Sequence, residues 1–88
     1  MKHAGPAVFA RISALLAELR ARPALRENRP GCFELKSRAF LHFHEDPSGL
    51  YADIRCADGR DFDRLKVDSA EAETALVRRA ESALGGHP

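Results

Sequence analysis

The stretch AFLHFHEDPSGLYADIRC, residues 39–56, decides the fold. Its first residues alternate, with Ala39, Leu41 and Phe43 on one face and Phe40, His42 and His44 on the other. Successive side chains of a strand point to opposite faces, so a period of two marks a strand with one buried face. Asp46-Pro47-Ser48-Gly49 carries turn chemistry. The alternation then resumes, with Leu50, Ala52, Ile54 and Cys56 against Tyr51, Asp53 and Arg55. A four-residue loop pairs Glu45 with Leu50 and fixes the register of the hairpin. Core pairs are then Phe43–Ala52, Leu41–Ile54 and Ala39–Cys56, and pairs on the other face are His44–Tyr51, His42–Asp53 and Phe40–Arg55.

Downstream, Asp58-Gly59 marks a second turn, and Phe62 to Val67 reads as a strand with Leu65 and Val67 together. Setting Cys56 opposite Asp61 aligns three rows across the open face: Phe40–Arg55–Phe62, His42–Asp53–Arg64 and His44–Tyr51–Lys66. Side chains directly opposite have Cβ atoms about 4.5–5.5 Å apart, so each row is a contact. The same register puts Asp63 on the core side, opposite Ile54. Upstream, Cys32 to Lys36 alternates with Phe33 and Leu35 on one face. A three-residue connection would set Glu34 beside His42 and Cys32 beside His44.

Helical spacing brackets the strands. Pro6 suits a first helical turn, and Val8, Phe9, Ile12, Leu15, Leu16 and Leu19 form one apolar stripe. Pro23 ends or interrupts that helix, and Arg29-Pro30-Gly31 is a link. Asp68 or Ser69 caps a last helix with Glu71 in the first turn, Ala72, Leu76, Val77, Ala80 and Leu84 face inward, and Gly85-Gly86 stops it. The expectation is a single α+β domain over residues 1–88, a four-stranded antiparallel meander with N- and C-terminal helices packed on one face (α-β-β-β-β-α).

The chain is 44% hydrophobic and 31% charged, the balance of a folded globule. Fourteen Lys plus Arg against thirteen Asp plus Glu leave a net charge of +1, which selects neither nucleic acid nor membrane as a partner. Residues 11–38 hold seven basic and three acidic residues and residues 45–73 nine acidic and four basic, a dipolar layout suited to a solvated surface. Cys32 and Cys56 make no disulfide framework. The N-terminal apolar stretch is broken by Arg11 and followed by Glu18, an amphipathic helix and not a signal or a membrane span. The expectation is a cytoplasmic protein with reduced thiols and no membrane partner.

Function has to be read from the open face. His42 and His44 project to one side about 6–7 Å apart along the strand, and with Asp53, Cys32, Glu34 or Tyr51 are candidate metal ligands. Arg64 beside Asp53 competes for the carboxylate. His42–Asp53 and Cys32–His44 contain the parts of acid–base or thiol chemistry, but no oxyanion hole or phosphate loop accompanies them, which argues against an enzyme. Phe40, Tyr51 and Phe62 with Arg55, Arg64 and Lys66 outline a base-stacking platform, which Asp53, Asp58, Asp61 and Asp63 oppose. Aromatic and arginine anchors with a charged rim are also the anatomy of a protein interface. The leading expectation is therefore a homodimer or an unidentified protein partner bound through Phe40, His42, His44, Tyr51, Asp53, Arg55, Phe62 and Arg64, with no cofactor. The alternative is a metal or catalytic site on His42, His44 and Asp53.

The segment FELKSRAFLHFH, residues 33–44, followed by LYADI, residues 50–54, resembles a strand pair of small bacterial domains catalogued as luciferase-domain proteins. The shared elements are a basic hairpin, a following His-x-His, an Ala-Asp-aliphatic strand and the helix after Leu65-Lys66-Val67. About half the chain is covered, and the helical segment expected between the third and last strands is missing. Small bacterial proteins with a double-wing DNA-binding fold share the strand pair to a similar degree. What the resemblance implies is the sheet architecture, and no activity.

Overall fold

The computed structural model describes residues 2–85. Their element order is β1 (Lys2–His3), α1 (Pro6–Arg11), α2 (Ser13–Arg20), β2 (Leu25–Arg29), β3 (Cys32–Leu35), β4 (Arg38–Asp46), β5 (Gly49–Arg55), β6 (Phe62–Lys66) and α3 (Ala70–Ala83). The sheet runs β2-β3-β4-β5-β6, with β1 also paired to β4 and every pairing antiparallel. The α+β class and the antiparallel sheet are as expected, but the sheet has two more strands than the four read from the sequence.

The additional strands are the ones without a period of two. In β2 only Leu25 is buried, and Arg26, Glu27, Asn28 and Arg29 give a polar edge that alternation cannot flag. Residues 30–31, expected as a link, are the tight turn of the β2–β3 hairpin. Pro30 presets the turn and Gly31 takes φ +73. A Cβ on Gly31 would stand 2.5 Å from the Phe9 ring, so this glycine also lets α1 settle on the hairpin. β1 has only two residues and lies along the second half of β4, pairing Lys2 with Glu45 and His3 with His44, while β3 pairs with the first half.

The central hairpin follows the expected register. Glu45–Leu50, His44–Tyr51, Phe43–Ala52, His42–Asp53 and Leu41–Ile54 are partners, with the loop tightened to Pro47-Ser48 because Asp46 and Gly49 also pair. Tyr51–Lys66, Asp53–Arg64, Ile54–Asp63 and Arg55–Phe62 continue it into β6. The Cys56 N–H donates to Asp61 O, closing the turn between β5 and β6. Asp63, turned toward the core side of this edge strand, reaches Arg79 of α3.

Two parts of the expected register are corrected. The β3–β4 connection is the two-residue turn Lys36-Ser37, both with positive φ (54 and 66), the mirror-image geometry that matches strand twist. Phe33 pairs with Leu41 but Glu34 pairs with Ala39, so Phe40 is an extra residue on β4, a β-bulge. The bulge turns Phe40 away from the open face. It is only 3% exposed and belongs to the core with Phe33, Leu41, Phe43, Ala52 and Ile54. The Phe40–Arg55–Phe62 row therefore loses its first member.

Val8, Ile12, Leu15, Leu16, Leu19, Leu76 and Ala80 from the helices join that same core. The N-terminal helix is divided at Ile12, whose φ −108 and ψ 29 depart from helical values, although its N–H still donates to Val8 O and its carbonyl accepts from Leu16 N–H. Ser69, and not Asp68, caps α3, its hydroxyl accepting from Ala72 N–H at 3.1 Å. Gly85 follows with φ +70, and Gly86 lies outside the described residues.

Candidate functional site

The alternation of β4 sends His42 and His44 to the face opposite Leu41 and Phe43, where both are partly buried. At two residues apart on a strand their rings can meet above it. The ring centres lie 4.7 Å apart, edge to face, with His42 Nδ1 at 2.7 Å from His44 Nε2. From β5, Asp53 places its Oδ2 3.2 Å from the same His44 Nε2. One nitrogen of His42, one of His44 and one carboxylate oxygen thus lie within 4.8 Å of one another.

Asp53 is the one buried charged residue among those described, 8% exposed. Arg64 on β6 holds it with two parallel bonds, Nε to Oδ1 and a terminal nitrogen to Oδ2, both 2.8 Å. This fork geometry fixes the carboxylate plane and holds its pKa below the ordinary carboxylate value. A carboxylate has about four lone-pair positions, so Oδ2 keeps capacity beyond Arg64. Burial pushes the His42 pKa down, with a further contribution from the neighbouring His44. The neutral imidazole, with a lone pair to offer, is accordingly the favoured form of His42.

The surrounding face is built from the remaining rows. Phe62 lies 5.4 Å from the His42 ring and carries the Arg55 guanidinium 4.6 Å from its ring centre. Arg55 is also anchored to the carbonyls of Ala39 and Gly59. Tyr51 turns its hydroxyl to Ser48 Oγ at 2.8 Å, toward the hairpin end. Of the residues predicted from the sequence, His42, His44, Asp53 and Arg64 form one cluster, Arg55 and Phe62 stack beside it, Tyr51 stands at its edge, and Phe40 is absent from it.

On the β3 side the expected neighbours are shifted by one pair. Cys32 stands opposite His42, not His44. Glu34, expected beside His42, pairs with Ala39 and accepts a hydrogen bond from Asn28. Cys32 and Cys56 are both free thiols. His3, which sequence reasoning passed over, stands opposite His44 with ring centres 6.4 Å apart. His3, Cys32, His42 and His44 line one depression of about 310 Å³ with Asn28 and Arg29. No pattern in Lys2-His3 announces this placement, because a two-residue strand is too short to alternate.

Compared with known proteins, the chain matches no family model, no curated protein and no solved structure.

The arrangement separates two kinds of chemistry. In an oriented acid–base pair the carboxylate and the reacting group occupy opposite nitrogens of the imidazole. Here the His42 nitrogen and the Asp53 oxygen both approach the same His44 nitrogen. That is a poor relay. One proton between the two imidazoles satisfies the 2.7 Å contact, and a cation is the other kind of centre that three such converging atoms can surround.

Proposed function

We propose that this domain is a metal-binding module that holds a divalent transition-metal ion between His42 Nδ1, His44 Nε2 and Asp53 Oδ2. The observation that carries the reading is the convergence of these three donors within 4.8 Å on a partly buried surface. Two imidazoles and a carboxylate suit zinc and its neighbours better than magnesium or calcium, which prefer oxygen alone. A tetrahedral ion with Zn–N of about 2.0–2.1 Å holds its ligand nitrogens about 3.3 Å apart. The present 2.7 Å would open by a few tenths of an ångström. With the helices read as covering the opposite face, this is the face left to a ligand, and a cytoplasmic setting with reduced thiols is compatible with it.

Arg64 restrains the affinity. Its positive charge sits on the carboxylate the ion would share, which favours an exchangeable ion over a locked structural one. Isothermal titration of the full, tag-free chain with Zn²⁺ tests the reading. One ion per chain is expected, and loss of a ligand in His42→Ala or His44→Ala should weaken binding by more than the about 10–100-fold typical of losing an outer-shell partner. Unchanged binding in both variants would sink the proposal.

A second reading is favoured by the Arg55–Phe62 stack and by Tyr51 on the same face: self-association, or a protein partner, through these residues. The burial of Phe40 removes one anchor from it, which is why the metal reading ranks first.

A further inference from the structure

Cys32, expected beside His44, meets the imidazole of His3 instead. Its Sγ lies 3.6 Å from His3 Nε2 and 3.9 Å from His3 Nδ1. The other partner of the ring is Pro30 O, 3.4 Å from Nε2. A carbonyl oxygen only accepts, so Nε2 carries the hydrogen and Nδ1 keeps the lone pair that can accept from the thiol. A nucleophile within reach of a base, with that base oriented by a third group, is the arrangement that activates a thiol.

The surroundings of the sulfur agree. Cys32 is half-buried and pairs in register with Arg29 on one side and His42 on the other. Reactive cysteines sit in such partly exposed places beside a cation. Arg29 is exposed and has no ion-pair partner among the described residues. Glu34, the one acid lining the depression, accepts from Asn28 Nδ2 at 3.0 Å and pairs in register with Arg26. Cys56 is the contrast. It lines a separate cleft with Arg79 and Ser82 of α3, on the helix side of the sheet, where burial and the Asp63 carboxylate push its pKa up.

The reaction class follows from what the sulfur lacks. Acyl transfer would need N–H donors for an oxyanion, and the Gly31 N–H next to Cys32 is already given to Glu27. Thiol–disulfide exchange passes charge from sulfur to sulfur and needs only a nucleophilic sulfur with access. We propose that Cys32, with His3 as its base, is an exchange site for a small acidic disulfide, received in the depression of about 310 Å³ with its carboxylates toward Arg29. His3 Nδ1 takes the thiol proton, and the Cys32 sulfur attacks one sulfur of the disulfide. The S–S bond of the disulfide breaks as the new one to Cys32 forms, and the displaced thiolate leaves with the proton from His3. Cys56 is on the opposite face, so Cys32 stays capped until an outside thiol removes the adduct. None of these steps involves an ion at His42, His44 and Asp53.

The test is adduct formation on the full, tag-free, reduced chain with EDTA present, read at each cysteine by peptide mass mapping. The probes are oxidised glutathione, which is acidic, and cystamine, a cationic disulfide of the same chemistry. Cys32 is expected to react with oxidised glutathione about 10-fold faster than Cys56. His3→Ala should slow Cys32 at least about 10-fold with both probes and leave Cys56 unchanged. His3→Gln, which can still donate to Pro30 O but supplies no base, should do the same. Arg29→Ala should slow glutathione relative to cystamine by about 2–5-fold, the worth of one exposed ion pair. Equal rates at the two cysteines, or a Cys32 rate indifferent to both His3 variants, would overturn the site. Equal slowing of both probes in Arg29→Ala would overturn the acidic ligand.

Discussion

At the scale of single residues, Phe40 and Phe62 occupy opposite faces although their sequence positions suggested one row. The bulge opposite Glu34 moves Phe40 into the core, while Phe62 stays half-exposed under Arg55. Phe40→Ala should therefore cost about 3–5 kcal/mol, the range for emptying a packed aromatic site. Phe62→Ala should cost roughly 1 kcal/mol, the scale of an exposed cation–π contact with modest burial. Urea denaturation of the two variants checks the order, and equal losses would contradict the bulge. The inversion was not legible beforehand. An extra residue in a strand leaves no mark on hydrophobicity when the residue is itself apolar, so Phe40 fitted either face. His42, His44 and Asp53 were legible, because their face follows from the uninterrupted pairing of Phe43 with Ala52 and Leu41 with Ile54.

At the scale of elements, legibility followed side-chain alternation and marked turns, since β6 has no buried residue and its register was still readable. The β4–β5–β6 register could be read because core residues alternate and the turns are marked by Asp, Pro, Ser and Gly. β2 could not, since only Leu25 of its five residues is buried and its polar residues show no alternation. Glu27 on β2 accepts two bonds from Arg20 of α2, at 2.6 and 3.0 Å, and one from the Gly31 N–H at 2.9 Å. Arg20 is the main cause of a Glu27 pKa held below its ordinary value. A carboxyl whose pKa is lowered on folding adds stability above its unfolded value, and that contribution is lost as pH falls through the folded value. The advantage of the wild-type chain over Glu27→Gln, expected to be under about 1 kcal/mol for so exposed a pair, should shrink between about pH 7 and about pH 3. Parallel urea titrations at the two pH values measure it, and a constant difference would disprove the assignment.

At the scale of the whole molecule, the two readings of the open face separate by mass. If the face is an interface, Phe62→Asp places a charge beside Arg55 and His42 and should convert a dimer to a monomer in native mass spectrometry. If it is a metal site alone, the wild-type chain is already a monomer carrying one ion, and Phe62→Asp leaves the assembly unchanged. No helix among the described residues is long and apolar enough to cross a membrane.

The placement of β1 bears on the order in which the chain assembles. The neighbours β2-β3-β4-β5-β6 are successive hairpins, each closed by a short connection, so their contacts are local and are expected to form early. The β1–β4 pairing is different, because His3 meets His44 across 41 positions of chain (44 − 3). Its two residues return little for closing so long a loop, so it is expected to dock only after β4 has been set in place by β3 and β5. A chain arrested just before that step holds His42, His44 and Asp53 in register while its N-terminus still swings free.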